Sequence, residues 1–161
     1  MPLDTFVSGA YSHTYNSVDT GITHNGYDLQ IASRGEPVGP SDVHGQSVID
    51  LVYRGGDVHI QYDSMAYKAG AITPFWPWAT IGTVGVIGRL GSNVAAIALL
   101  TSTAGTPAAA SPTTVTGTKA ILAENFDARL LFHSVLRSVP TRLRLLPYDS
   151  GGGAIKWFVL G

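Results

Sequence analysis

Residues 57–62 read Asp57-Val58-His59-Ile60-Gln61-Tyr62, with polar and apolar side chains alternating at every step. Successive side chains of an extended strand point to opposite faces. The stretch therefore describes a strand that buries Val58, Ile60 and Tyr62 and turns Asp57, His59 and Gln61 outward. The same period recurs on both sides of it. Tyr27, Leu29 and Ile31 alternate with Asp28 and Gln30, and Ala128, Leu130 and Phe132 with Asp127, Arg129 and His133. Thr141, Leu143 and Leu145 alternate with Arg142 and Arg144, and Ile155, Trp157 and Val159 close the chain. Turn residues fall between these runs: Asn25-Gly26, Arg54-Gly55-Gly56-Asp57, Pro147-Tyr148-Asp149-Ser150 and Gly151-Gly152-Gly153. Val48–Tyr53, the glycine pair and Val58–Tyr62 predict a β-hairpin that turns at Gly55-Gly56.

One helix is expected, over Ser92–Thr101, where Ser92 offers an N-cap and Leu90, Val94 and Ile97 fall near one face. The 19 glycines and 9 prolines argue against an all-helical chain. Many short strands, many turns and one helix predict a mainly β fold, an antiparallel β-sandwich or barrel with one flanking α-helix. The 161 residues suit one domain. Two stretches carry neither period and read as extended loops. The first, about 64–82, holds Phe75-Trp76-Pro77-Trp78; the second, about 104–116, is small, proline-containing and uncharged.

Only 13% of the residues are charged, against about 25% in ordinary soluble domains. A lone subunit with so few charges exposes apolar patches, and such patches mark interfaces. The composition therefore predicts that sister copies cover much of the surface. Net charge is −1 but uneven: residues 1–80 carry eight acids and three bases, residues 81–161 three acids and seven bases. Head-to-tail contact between copies would use such a split. There is no cysteine, so disulfides, thiol nucleophiles and Cys-ligated metals are excluded. Apolar runs such as Val94–Leu100 are far short of the roughly 20 residues that span a bilayer. The first residues, MPLDTFVSGAY, lack the pattern of a signal peptide, so synthesis in the cytosol and no membrane partner are expected.

Signals for chemistry are few. Gly82, Gly85 and Gly88 do not form a dinucleotide fingerprint, and no P-loop lysine-serine pair is present. The histidines are His13, His24, His44, His59 and His133; only His44 with Asp42 approaches a metal-ligand spacing. His59 and His133 fall on polar strand faces. No enzyme activity, cofactor or metal is expected. Trp76 and Trp78 could stack on bases or sugars, but no basic residue lies between Lys68 and Arg89 to hold a phosphate backbone. Their plainer role is as core or interface anchors. Arg137, Arg142 and Arg144 form the only basic cluster, read as a solvated or ion-paired strand face.

Three segments carry a family resemblance. Val18-Asp19-Thr20-Gly21-Ile22-Thr23-His24-Asn25-Gly26-Tyr27 resembles the early G-x-T-x-x-G turn of phage tail tube-like proteins. Asp42-Val43-His44-Gly45, followed by Val48–Tyr53 and Val58–Tyr62, resembles their D-x-x-G turn and hairpin. The run Leu136–Tyr148 resembles their closing R-x-V-P … P-D strand pair, with Ile155–Leu160 as the last apolar strand. The resemblance is loose, covers most of the chain and rests on turn signatures. It implies a virion structural protein, assembled in the host cytoplasm into the phage tail. Six copies would form a ring, inner strands would join into a tube, and rings would stack against one another and against other tail proteins. Genomic DNA would pass non-specifically through the lumen. Candidate subunit-interface residues on the two loops are Tyr67, Phe75, Trp76, Trp78, Pro107 and Pro112. Two other functions stand beside this one: a trimeric capsid cement or decoration protein, and a carbohydrate- or host-binding module using Trp76, Trp78 and Tyr67.

Overall fold

The computed structural model describes residues 10–40, 42–65, 69–103, 112–127, 129, 138–149 and 151–161. The first half supplies β1 (Tyr11–Tyr15), β2 (Val18–Asp19), β3 (Thr23–Val38) and β4 (Asp50–Ser64), then a single helical turn, α1 (Ala69–Ile72). The second half supplies β5 (Ala96–Ser102), β6 (Thr114–Leu122) and β7 (Val139–Leu145). Three two-residue strands follow: β8 (Tyr148–Asp149), β9 (Ile155–Lys156) and β10 (Val159–Leu160). Short 3₁₀ turns lie at Asp42–His44, Thr73–Phe75 and Gly91–Asn93.

The expectation of a mainly β, antiparallel fold holds. Eight strands make one sheet in the order β2-β1-β5-β6-β7-β4-β3, with β10 added on β6; β8 and β9 form a separate ladder. The sheet is not closed. It curls instead, so that the same face of its first and last strands meets. His13 on β1 contacts Tyr27 on β3 and Tyr62 on β4, with ring centroids 5.4 and 5.1 Å away. Only Thr20, Gly21 and Ile22 join β2, at one end of the strand order, to β3, at the other. The Met65 amide, just past β4, donates to the Ile22 carbonyl of this link at 2.8 Å, one step beyond the Thr23↔Ser64 pair.

Alternation places the core as the sequence predicts. Val58, Ile60 and Tyr62 on β4 and Thr141, Leu143 and Leu145 on β7 are buried, and pair in register from Val58↔Leu145 to Tyr62↔Thr141. Tyr15, Ala98 and Ala120 join them, and Tyr27, Leu29, Trp157 and Phe158 pack against the cluster. Each fully buried Leu or Ile contributes roughly 1.5–3 kcal/mol. The opposite face is polar: Gln30 donates to Gln61 at 3.1 Å.

Four expectations are corrected. Ser92–Thr101 is not the flanking helix: a 3₁₀ turn leads into β5, whose Ala98 and Leu100 point inward while Ile97 and Thr101 are exposed. Pairing with β1 on one side and β6 on the other outweighs the helix propensity of its alanines. Gly55-Gly56 is not a turn: β4 continues through it, paired with β3 on both sides of a register irregularity. Asn25-Gly26 lies within β3, at a register irregularity between Thr23 and Tyr27. His59 faces outward but is buried rather than solvated, beneath Arg142 and Arg144. Burial and those two cations push its pKa below the usual histidine value. The strand expected over 128–133 lies outside the described residues apart from Arg129.

Candidate assembly surface

The longest strands, β3 and β4, outrun the sheet. β7 begins pairing with β4 at Val58 and continues to Ser64, so among the described residues Asp50–Asp57 have β3 alone as partner. Ala32–Val38 and Asp50–Asp57 therefore form a two-stranded arm, capped by the 39–49 connection. At about 3.3 Å per residue, its seven or eight residues reach roughly 25 Å past the sheet.

A bulge decides which side chains the arm presents. Ser33 pairs with Gly56 but Gly35 with Tyr53, so Arg54 and Gly55 together oppose Arg34. Gly55 has φ +97°, a left-handed conformation that glycine adopts without a Cβ penalty. The extra residue reverses the parity of β4. Odd-numbered Leu51 and Tyr53 thus continue the face of even-numbered Val58, Ile60 and Tyr62. Their partners Pro37 and Gly35 lie on the same face, in line with Ile31 opposite Val58. The core side of the sheet is thereby prolonged into an apolar stripe of Ile31, Pro37, Leu51 and Tyr53. Among the described residues nothing covers it: Ile31, Leu51 and Tyr53 are 63%, 66% and 62% exposed.

The other face of the arm mixes Val38 and Val52 with charges that pair among themselves. Arg54 binds Glu36 at 2.7 Å, and Asp57 at the arm's root accepts from both Arg34 and Arg144, the latter also paired with Glu124. The arm's tip is apolar again, with Val43, Val48 and Ile49 exposed.

A second uncovered apolar stretch is the loop after α1. Trp76, Ile81, Val84, Val86, Ile87 and Leu90 are all exposed. The loop is held by its own hydrogen bonds: Trp76 Nε1 donates to the Thr83 carbonyl at 2.7 Å, and the Thr83 amide and hydroxyl donate to the Thr80 carbonyl. It stands over the root of the arm. A cleft of about 780 Å³ opens there, lined by Trp78, Leu90, Ile121, Leu146 and Trp157, with Arg54, Asp57, Glu124 and Arg144 among its polar groups.

Of the interface residues expected from the sequence, Trp76 is exposed, and Phe75 and Trp78 are half-buried. The two tryptophans do not share a cleft: Trp76 lines a separate one of about 430 Å³ with Ile72, Ala79 and Ile81. Pro112 is half-buried and tied to its own chain, its carbonyl accepting from the Tyr11 hydroxyl at 2.8 Å. Tyr67 and Pro107 lie outside the described residues. The sequence reading missed the arm, because it took Val48–Tyr53 and Val58–Tyr62 as partners of each other. The available signal was the parity change from odd to even apolar positions across Gly55-Gly56, which marks a bulge. Among the basic residues, Arg144 is ion-paired as expected, while Arg137 lies outside the described residues. Among the described residues, no three His, Asp or Glu gather as metal ligands would, and no helix is long and apolar enough to cross a membrane. No protein-family model matches the chain, and no curated protein does.

Proposed function

We propose that this chain is a structural subunit of a tailed-bacteriophage tail tube, in which six copies close a ring and rings stack into the conduit for DNA ejection. The observation that carries the reading is the arm: a β-ribbon that prolongs the core face of the sheet and leaves Ile31, Leu51 and Tyr53 uncovered. An apolar stripe continuous with a core calls for a partner surface, and a second copy of the chain brings both an arm and a cleft walled in part by Trp78, Leu90 and Trp157. In the proposed assembly the arm of one copy reaches the cleft at the arm's root in the next copy. Such contacts are heterologous and either close into rings or propagate as stacks.

Two further features support the reading. The 16-residue strand β3 is an edge of an open sheet, and pairing across subunits would satisfy its outer backbone groups. Arg34, Arg54 and Arg144 are each paired with carboxylates, which limits the free positive charge that would grip a passing duplex. The test is mass measurement on the purified protein over a range of concentrations. Hexamers and their multiples support the tube. A trimer that binds only preassembled capsids would replace it with the cement function, and binding to a glycan array lost in Trp76→Ala or Trp78→Ala would replace it with the carbohydrate module.

A further inference from the structure

His13 lies at the seam where the curled sheet fails to close, and it is fully buried. Its surroundings fix its tautomer. The Thr20 hydroxyl donates its one proton to the His13 carbonyl at 3.0 Å, and Thr20 Oγ1 lies 3.0 Å from His13 Nδ1. With the hydroxyl proton on the carbonyl, Oγ1 accepts from the ring, which places the hydrogen on Nδ1 and leaves Nε2 bare. Among the described residues His13 Nε2 has no hydrogen-bond partner. The Thr20 amide also donates to the His13 carbonyl at 3.0 Å, and the Thr20 and Thr23 hydroxyls lie near the Tyr27 hydroxyl and act against the upward push of burial on its pKa. Thr20 opens the three-residue link between the two ends of the sheet. One imidazole thus fastens β1, the link and β3 together.

We propose that His13 is an acid-operated clasp: neutral, it holds the seam between the β1–β2 end and the β3–β4 end of the sheet; protonated at Nε2, it releases that seam. The new N–H would have no acceptor, and the charge would sit in a dry pocket. The groups facing the ring decide the balance. Asp19 on β2 favours the cation, while Tyr27 on β3 and Tyr62 on β4 both have pKa values raised by burial and stay neutral. Desolvation outweighs Asp19 and pushes the His13 pKa down to about 4. Release occurs as pH falls toward that value.

Hydrogen exchange on the full chain tests this, comparing pH 7 with pH 4 after correction for intrinsic rates. Exchange should rise at least tenfold at the Thr20 amide, which ties the link to β1, and at the Met65 amide, which ties it to the end of β4, with β5 and β6 unchanged. His13→Gln should remove this pH dependence, and Thr20→Val should loosen the seam already at pH 7. Should His13→Gln fail to fold, the imidazole titration of the unmodified protein, followed by NMR, must share its midpoint with seam exchange. Unchanged exchange at pH 4, an equal rise in His13→Gln, separate midpoints or a uniform loss of protection that includes β5 and β6 would each overturn the clasp.

Discussion

Gly56 on β4 lies so close to Ala32 on β3 that a Cβ on the glycine would stand 2.5 Å from the Ala32 carbonyl oxygen. The obstacle is backbone in a paired strand, which cannot swing aside as a side chain would. Beside it sits the Gly55 bulge that turns Leu51 and Tyr53 onto the core face. The two glycines thus set the spacing and the parity of the arm's root. Gly56→Ala should destabilise the protein by roughly 1–3 kcal/mol, as overpacking does. Chemical denaturation of the variant checks this; an unchanged midpoint would mean that the strands separate freely at this point.

The arm's apolar stripe contributes little to the isolated fold, because it is exposed there. Leu51→Asp combined with Tyr53→Asp should leave unfolding free energy within about 0.5 kcal/mol per site of the parent. The same pair should abolish association of copies. Calorimetry and analytical ultracentrifugation read the two effects separately, and loss of stability without loss of association would assign the stripe to the core instead.

How much of this was legible in the sequence depends on the side-chain period. Val58, Ile60, Tyr62, Thr141, Leu143 and Leu145 announced their strands because each strand has one buried and one polar face. Asn25-Gly26 and Gly55-Gly56 did not by themselves separate a bulge from a turn, since the same residues and left-handed backbone angles serve both. Ser92–Thr101 misled because Ala and Leu suit either structure, and only its neighbours β1 and β6 select the strand. Trp76 and Trp78 were visible as aromatics, yet their assignment to two different clefts depends on packing. The parity change across Gly55-Gly56 marks the bulge, but the free length of the arm was invisible, because it is defined by where β7 stops pairing with β4.

Acid should weaken the fold through His13. The folded state holds this group near pKa 4 and the unfolded chain near 6.5, so between those values the unfolded state binds the extra proton. The contribution is therefore fully present above about pH 6.5 and is lost as pH falls toward 4, amounting to roughly 3 kcal/mol. Denaturation midpoints from pH 7.5 to 4 should fall more steeply in the parent than in His13→Gln. Parallel curves would show that other groups carry the acid sensitivity.

Asp57 should matter more than its partners' exposure suggests, since one carboxylate serves both Arg34 and Arg144. Arg34 has a side chain 69% exposed, and Arg34→Ala should cost under about 1 kcal/mol. Asp57→Ala removes both contacts at a largely buried position and should cost about 1–2 kcal/mol, less at high salt. Denaturation at low and at molar salt distinguishes the two; equal effects would reduce Asp57 to a surface ion pair.

The central claim is that an uncovered strip of core, carried out on a β-ribbon, meets its complement on another copy of the same chain. Electron microscopy of the purified protein at high concentration tests it most directly. Rings that stack into hollow tubes of uniform diameter are the predicted result, absent in the Leu51→Asp, Tyr53→Asp variant. A field of single 16.9 kDa particles at every concentration would contradict it.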